Sequence, residues 1–408
     1  MKAALAVAAA LACLAAVPGS AAASTAKIVI GDSCGSDVAC GKYNGGSPLT
    51  IVTYVGAPGE ANRVTATPAG ETITLSDPAA TITAEAPCRS IDAHTAICQG
   101  GGAAPLELAG FTAQLGDGDD TLTVAAGLRV VASLSGEGGD DALTGGGEED
   151  VLDGGPGADR LDGGAGEDVL SFSTRSDGVV IDAASGRSSD GDTFTGLETV
   201  VGGAGADRLL GGPGVDVFRG GPGNDTLRGA GGDDTLSGEL GADLLDGGAG
   251  ADLLDGDPPQ GDGYYTPIVA LRRDVLRGGS GNDQLADTGG ANVFAGGSGD
   301  DFLRGGVGAD RMVGGSGADR IEGGAGRDTL RGGAGLDRLF GGRGADALSG
   351  DGGIDRMSGG SGPDRIAARD GLAERVACGS GRDTARVDAK DRVRGCENLR
   401  PRRYTSRR

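Results

Sequence analysis

Histidine, tryptophan and basic charge are all scarce in this 408-residue sequence. His94 is the only histidine, so neither a zinc site built on several histidines nor a metalloprotease helix is available. A Ser–His triad would have to use His94, and no G-x-S-x-G elbow lies near it. Lys and Arg number 36 against 59 Asp and Glu, a net charge of −23 that argues against nucleic acid or an anionic membrane as partner. We therefore expect no enzyme, and a cation among the partners.

Long apolar stretches are confined to the N-terminus. Residues 1–23 combine Lys2, an apolar stretch at 3–17 and small residues at 21–23, a pattern typical of a secretory signal peptide. The stretch is too short for a membrane span and no second one follows. A lipoprotein would use Cys13, but this would reduce the apolar stretch to a stub. We expect a secreted, extracellular protein.

Cysteines are few, and they flank the glycine-rich part of the chain. Removal of the signal peptide leaves six of the seven, an even number that favours disulfides in an exported chain. Six cysteines allow 15 connectivities. The simplest prediction joins sequence neighbours: Cys34–Cys40, Cys88–Cys98 and Cys378–Cys396.

Glycine, by contrast, supplies 85 residues, and it recurs in a nonapeptide G-G-x-G-x-D-x-U-x, where U is apolar. Residues 314–349 hold four copies in succession. Counting looser copies there are 21 units, with aspartate at position six in 20 of them, Asn292 in the other, and an apolar residue at position eight in all. With only 15 prolines and no three-residue period, a collagen-like chain is excluded.

This spacing predicts a shape. The G-G-x-G segment suits a tight turn and x-U-x suits a short strand with one inward apolar side chain. Two nonapeptides would complete one coil of a flattened parallel solenoid, so aspartates two units apart in sequence would stack in columns. Like charges stacked in this way need a cation, and oxygen-rich turns favour Ca²⁺ over Mg²⁺ or Zn²⁺. The alternative is that the aspartates only cap turns.

The repeat resembles the RTX (repeats-in-toxin) proteins with hemolysin-type calcium-binding repeats. The resemblance implies a right-handed parallel β-roll, with Ca²⁺ held between turns two units apart by the position-six aspartates and by turn carbonyls. Asn292 departs from the motif and should give a weaker or absent site. The metal ligands that the resemblance implies are Asp141, Asp150, Asp159, Asp168, Asp207, Asp216, Asp225, Asp234, Asp243, Asp252, Asp274, Asp283, Asp301, Asp310, Asp319, Asp328, Asp337, Asp346, Asp355 and Asp364.

We expect an all-β chain in which caps and interruptions surround the repeats. Alternating stretches at 50–55, 71–75 and 81–84 predict strands in the N-terminal part. The spacing from Asp168 to Asp207 is not a multiple of nine, which predicts a break in the column. The expected segments are a signal peptide (1–23), a β-rich N-terminal cap (24–135), repeats (136–171), irregular solenoid turns (172–201), repeats (202–255), an inserted surface loop (256–273), repeats (274–367), and a disulfide-stapled C-terminal cap with a basic tail (368–408).

The leading functional hypothesis is a secreted structural or binding module that Ca²⁺ folds. One alternative is a calcium-dependent adhesin or matrix protein that binds a cell-surface or extracellular polysaccharide. Another is an extracellular carbohydrate-active enzyme with an unrecognised pair of carboxylates. Asp120, in the degenerate repeat at 115–123, is a candidate outlying ligand, and Glu374 and Asp383 are repeat echoes in the C-terminal cap.

Overall fold

The computed structural model describes residues 26–32, 50–56, 59–68, 72–84, 88–98, 108–257 and 273–401, and all regular elements in these ranges are β-strands. The predictions for the signal peptide, Cys13, the Cys34–Cys40 pair, residues 258–272 of the inserted loop and residues 402–408 of the tail lie outside the described residues. Within the described part, no helix has the length and apolar character needed to cross a membrane.

The chain divides into two compact units. Unit 1 comprises Met1–Arg175 and Ser185–Val201, and unit 2 comprises Ser176–Ala184 and Gly202–Arg408. The strands are numbered along the whole chain. Unit 1 contains β1 (Ala26–Asp32), β2 (Thr50–Val55), β3 (Arg63–Pro68), β4 (Ile73–Ser76), β5 (Ile82–Ala84), β6 (Cys88–Ser90), β7 (Thr95–Cys98), β8 (Leu108–Gln114), β9 (Thr121–Val124), β10 (Ala132–Ser135), β11 (Ala142–Thr144), β12 (Val151–Asp153), β13 (Arg160–Asp162), β14 (Val169–Ser171), β16 (Arg187–Ser188), β17 (Thr193–Thr195) and β18 (Thr199–Val201).

Unit 1 begins with antiparallel pairs and continues as a parallel solenoid. The pairs β1–β2, β3–β4, β4–β7 and β6–β7 are antiparallel. From β8 onward, alternate strands pair in parallel along two rows, β8–β10–β12–β14–β18 and β9–β11–β13–β17. The Cys88–Cys98 disulfide joins β6 to β7, as predicted.

Unit 2 contains the remaining strands, most of them on exact repeats. They are β15 (Val180–Asp182), β19 (Arg208–Leu210), β20 (Val217–Pro222), β21 (Thr226–Gly231), β22 (Thr235–Leu240), β23 (Leu244–Ala249), β24 (Leu253–Asp255), β25 (Val275–Ser280), β26 (Gln284–Ala286), β27 (Val293–Ser298), β28 (Phe302–Arg304), β29 (Arg311–Ser316), β30 (Arg320–Gly326), β31 (Thr329–Ala334), β32 (Arg338–Gly344), β33 (Ala347–Gly352), β34 (Arg356–Ser361), β35 (Arg365–Ala368), β36 (Arg375–Ser380), β37 (Thr384–Val387), β38 (Arg392–Arg394) and β39 (Asn398–Pro401).

Alternate strands of unit 2 pair in parallel, so the even-numbered strands from β20 form one sheet and the odd-numbered strands the other. Residues two repeats apart face each other, as in Phe218 opposite Leu236 and Leu330 opposite Leu348. The position-eight side chains point between the two sheets, where Leu330 is fully buried. Each short strand therefore contributes one apolar rung to a shared core, and the predicted all-β parallel solenoid is confirmed.

Register survives the inserted segment. Leu254 on β24 pairs with Leu285 on β26, farther along the chain than the usual two repeats, so the pairing of position-eight residues is kept across the additional residues. The first residues of the segment, Gly256 and Asp257, are buried and belong to the coil, not to a surface loop. At the C-terminal end, β36 to β39 continue the stack and the Cys378–Cys396 disulfide joins its last coils, as predicted.

Candidate metal centre

The glycines of each turn give the coils the close contact that the site needs. Gly297 and Gly299 have φ of 121° and 129°, a region that side-chain-bearing residues rarely adopt. A Cβ on either residue would collide with a backbone carbonyl oxygen of the preceding coil, that of Gly279 or Gly281. Successive turns thus stack with a carbonyl oxygen of one coil against a glycine of the next.

The position-six aspartates form hydrogen-bonded ladders along the stack. Asp301 donates its backbone N–H to Oδ1 of Asp319, and Asp319 donates to Oδ1 of Asp337, at 2.9 Å in both cases. In unit 2 one ladder runs through Asp216, Asp234, Asp252, Asp283, Asp301, Asp319, Asp337 and Asp355. The other runs through Asp207, Asp225, Asp243, Asp274, Asn292, Asp310, Asp328, Asp346, Asp364 and Asp383.

Unit 1 has shorter ladders of the same kind. Asp120 donates to Asp141, which donates to Asp159, and Asp150 donates to Asp168. Nineteen of the 20 predicted ligands are at most 2% exposed, and Asp216 is half-buried. The predicted columns are therefore present. In these ladders Oδ1 accepts a backbone N–H, which is the kind of hydrogen bond that we considered as the alternative role of the aspartates.

The second carboxylate oxygen of most of these aspartates is buried without a hydrogen-bond donor. Three of the predicted residues differ, because Oδ2 of Asp150, Asp207 and Asp216 accepts an N–H from its own turn. The predicted ligands with a buried Oδ2 that receives no donor are Asp141, Asp159, Asp168, Asp225, Asp234, Asp243, Asp252, Asp283, Asp301, Asp310, Asp319, Asp328, Asp337, Asp346 and Asp364. A buried acceptor left in this state costs about 1–3 kcal/mol, more if charged.

The electrostatics of the ladders favour a bound positive charge. Burial raises the pKa of Asp243 to about 8, and the neighbouring carboxylates of Asp274 and Asp225 contribute to this rise. Burial likewise raises the pKa values of Asp225, Asp301 and Asp337 to about 7. Near neutral pH these groups are stabilised only by taking up a proton or by contact with a cation.

The donor atoms around the carboxylates fit calcium. A Cβ placed on Gly296 would touch both Oδ2 of Asp301 and the carbonyl oxygen of Gly314 in the next coil. A carboxylate oxygen and a backbone carbonyl oxygen therefore border the same small volume, and the same arrangement recurs at Gly278 and Gly314. Ca²⁺ accepts six to eight oxygen ligands of these two kinds in a flexible geometry.

The two unit 1 ladders each gain one acid before the irregular coils begin, and beyond it Asp192 donates its N–H to Oγ of Ser188 instead of to another acid. Asp168 donates its N–H to Oε2 of Glu198, and Asp159 donates to Oδ1 of Asp192, both at about the usual distance (2.8 and 2.9 Å). Two acidic residues outside the nonapeptide thus occupy ladder positions in unit 1. Their coils are longer than two nonapeptides, so spacing alone could not identify them.

Asn292 occupies its ladder position with an amide in place of a carboxylate. Its Oδ1 accepts the N–H of Asp274 at 2.8 Å, and its Nδ2 donates to the carbonyl oxygen of Gly289 at 2.9 Å. The same repeat has Asp287 where glycine is usual, at position one. Carboxylate oxygens of Asp257, Asp274 and Asp287 lie within 4.8 Å of one another, all on buried residues. The repeat has therefore exchanged an acid at position six for an acid at position one.

A second acidic group, Asp370, Glu374 and Asp388, lies in the C-terminal cap with oxygens within 4.8 Å of one another. Glu374 is buried, and burial raises its pKa, as does contact with Asp391. Glu374 takes the position-six place in the coil after Asp355. Two exact nonapeptides would have placed this residue one position earlier in the sequence. The repeat echoes that we noted at Glu374 and Asp383 both fall in the stack.

The fold and the oxygen-lined turns define a parallel β-solenoid repeat protein suited to divalent cations. Comparison with known protein families matches the RTX calcium-binding nonapeptide repeat (4 copies) at residues 135–170, 192–227, 228–258, 272–286, 277–312, 287–321, 313–348 and 349–371. Through these residues the chain belongs to the RTX calcium-binding repeat proteins. A search of curated proteins gave no match.

Proposed function

We propose that the chain is a secreted structural or binding module that folds when Ca²⁺ occupies its stacked turns. The observation that carries this proposal is the series of buried Oδ2 atoms without donors, repeated from coil to coil along the ladders. Most of them are bordered by a backbone carbonyl oxygen of the next coil. A cation between consecutive turns would satisfy both sets of oxygens at once.

Calcium would also remove the repulsion between stacked carboxylates. At the strand spacing of about 4.8 Å, two unit charges repel by about 1 kcal/mol in water and about 3 kcal/mol at an effective dielectric constant of 20. Extracellular calcium modules have Kd values of roughly 10⁻⁴–10⁻³ M. At ten times Kd each independent site adds about 1.4 kcal/mol of stability. Summed over many turns, calcium binding becomes the main contribution to the stability of the fold.

The proposed ligands are the position-six aspartates whose Oδ2 lacks a donor, together with the turn carbonyls. We add the residues that take equivalent ladder places outside the exact repeat, Asp120, Asp192 and Asp383. Asn292 contributes no carboxylate, so at this coil Asp287 supplies the acid instead. The weakest members of the proposed set are Asp150, Asp207 and Asp216, because their Oδ2 atoms already accept a hydrogen bond from their own turns.

Two further features support export. The N-terminal residues 1–23 have the composition of a signal peptide, and the two disulfides suit an oxidising compartment. We further propose that the module is not a catalyst. His94 lies exposed at a turn, with Nδ1 2.8 Å from the carbonyl oxygen of Ala80.

Equilibrium dialysis of the calcium-stripped protein tests the proposal. We expect several Ca²⁺ ions bound per chain at millimolar free Ca²⁺, with Mg²⁺ a poor competitor because it demands a smaller octahedral site. A matched pair of variants assigns the ions: Asp319→Asn should lower the stoichiometry, whereas Asp300→Asn, on an exposed neighbour in the preceding turn, should not. Fewer than one ion per chain, or equal competition by Mg²⁺, would overturn the proposal.

A further inference from the structure

Five arginines stand in one straight row on the outer face of unit 2. They occupy position seven of five consecutive coils on the even-numbered sheet, at the start of β30, β32, β34, β36 and β38. The strand register places them directly opposite one another: Arg320, Arg338, Arg356, Arg375 and Arg392. At about 4.8 Å per strand, this arginine ladder is about 19 Å long.

The row is exposed and largely without counter-charges. All five arginines are solvent-exposed. Arg320 pairs with Glu322 and lies near the rings of Phe302 and Phe340, 5.7 and 5.4 Å from their centroids. Among the described residues, no ion pair involves the other four. Of the acids that precede these four in sequence, Asp337, Asp355 and Glu374 are buried in the turns, whereas Asp391, before Arg392, is half-buried. Oδ1 of Asp337 and of Asp355 accepts a backbone N–H.

The residues two positions after each arginine form a second outward-facing column, which adds little negative charge. Glu322 is its one acid beside the ladder, and it is already paired with Arg320. The residues beside the next arginines are Phe340, Ser358 and Ala377, and Arg394 beside Arg392 adds a sixth cation. A protein with a net charge of −23 thus presents a strip of concentrated positive charge. Like charges directly opposite one another on neighbouring strands destabilise a sheet. The row of arginines is therefore better explained by a role in ligand binding than by a contribution to stability.

We propose that the arginine ladder binds an extended acidic polysaccharide whose carboxylate or sulfate groups pair with successive guanidinium groups. Arginine forms bidentate hydrogen bonds with planar oxyanions, and a row of them suits repeated anions along a chain. The strip is exposed along its length, which favours a long ligand over a small anion held in a pocket. It is also only one side chain wide, so a single polymer chain can follow it.

Other anionic partners fit this strip less well. A DNA duplex or a lipid surface is broader than the row and would meet the acidic remainder of the molecule within a Debye length of about 8 Å. Single-stranded nucleic acid is usually bound on several aromatic side chains, and only Phe340 stands beside the ladder in the neighbouring outward column. The proposal rests on the calcium-driven fold proposed above, because the arginines align only when the coils are stacked.

Binding of chondroitin sulfate, which carries carboxylate and sulfate groups, to the calcium-loaded protein tests this inference. Biolayer interferometry should detect binding at 50 mM NaCl that weakens at least tenfold at 300 mM NaCl, with none to neutral dextran. The variant R338S/R356S/R375S should bind at least tenfold more weakly. The control R208S/R311S/R365S removes the same charge from exposed arginines on the other sheet and should change the affinity less than twofold.

A second variant, R338K/R356K/R375K, keeps the charge and loses the bidentate geometry, so it should bind with intermediate affinity. Circular dichroism of each sample with Ca²⁺ separates failure to fold from failure to bind. Absence of calcium-induced folding would contradict the proposed function. A protein that folds with Ca²⁺ but does not bind chondroitin sulfate would overturn only the proposed role of the arginine ladder. Equal loss in the serine variant and its control, or tighter binding to oligo-dT or phosphatidylserine vesicles, would also overturn it.

Discussion

At Asp319, Oδ1 accepts the backbone N–H of Asp301 at 2.9 Å, while Oδ2 is buried and has no donor. The first oxygen ties one turn to the next and needs no metal. The second is the atom for which we propose calcium. Because the two oxygens differ in this way, substitutions can separate the structural contribution of the side chain from its contribution to metal binding.

Asp319→Asn should retain the hydrogen bond from Asp301 while replacing Oδ2 by an amide, as Asn292 does naturally. We expect little loss of stability in EGTA and a smaller stabilisation by Ca²⁺. Asp319→Ala should cost about 1–3 kcal/mol even without calcium, because the buried N–H of Asp301 loses its acceptor. Urea unfolding with and without Ca²⁺ measures both. Equal behaviour of the two variants in EGTA would contradict the division between the oxygens.

Asp287→Gly restores the usual glycine at position one and removes one acid from the group with Asp257 and Asp274. We expect one fewer bound Ca²⁺ ion per chain by equilibrium dialysis, or a weaker site, despite the closer match to the repeat. Converting another position-one glycine should not compensate, since a Cβ at Gly296 would collide with Asp301. Unchanged calcium binding in Asp287→Gly would show that Asp287 plays no part.

The raised pKa values of the ladder aspartates predict the pH dependence of the calcium-free protein. Burial raises the pKa of Asp301 and Asp310 to about 7 and that of Asp243 to about 8, above an unfolded value of about 3.9. The folded state therefore binds more protons than the unfolded state between these values, and stability falls as pH rises from about 4 to about 8.

Thermal melting of protein stripped of calcium on a chelating resin checks this dependence. We expect a higher Tm at pH 5 than at pH 8 without calcium, and the largest gain from added Ca²⁺ at pH 8, where protons compete least. A calcium-free Tm that rises from pH 5 to pH 8 would contradict the proposed burial of unneutralised carboxyl groups.

The elements of this fold are strands of only a few residues, and each depends on the strands of adjacent coils. Leu330 on β31 lies between Met312 and Leu348 in the apolar column and is fully buried. An x-U-x segment has no stability by itself, so stability arises from the contacts between neighbouring coils.

Leu330→Ala should lower the free energy of unfolding by about 2–5 kcal/mol in the presence of Ca²⁺, the range for a large-to-small change in a packed core. Leu336→Ala makes the same change in the next turn, where leucine is 62% exposed, and should cost less than about 0.5 kcal/mol. Denaturant unfolding of both variants gives the comparison. Similar costs at the two leucines would mean that the column does not form the core.

The elements that could be predicted from sequence are those that obey the nonapeptide. Fixed residues at positions six and eight, with two nonapeptides to a coil, predicted the parallel pairing, the inward Leu330 column and the stacked aspartates. Asp192 and Glu198 could not be predicted, because longer coils remove them from the regular count. Nor could sequence reveal that the two oxygens of one aspartate differ, since that depends on the backbone N–H of the preceding coil.

At the scale of the whole molecule, a net charge of −23 and columns of buried carboxylates oppose folding, and the apolar columns and backbone ladders favour it. If calcium neutralises the columns, the solenoid forms where calcium is abundant, outside the cell, and stays loose where it is scarce. The arginine ladder would then be assembled only in the calcium-loaded protein.

Far-UV circular dichroism of the protein, stripped with EGTA and titrated with Ca²⁺ against a parallel Mg²⁺ titration, tests whether Ca²⁺ folds the solenoid. We predict a cooperative gain of β-signal between sub-millimolar and millimolar Ca²⁺ that Mg²⁺ does not produce. A spectrum already rich in β-structure in EGTA and unchanged by Ca²⁺ would contradict the account, and would mean that the aspartates only cap turns.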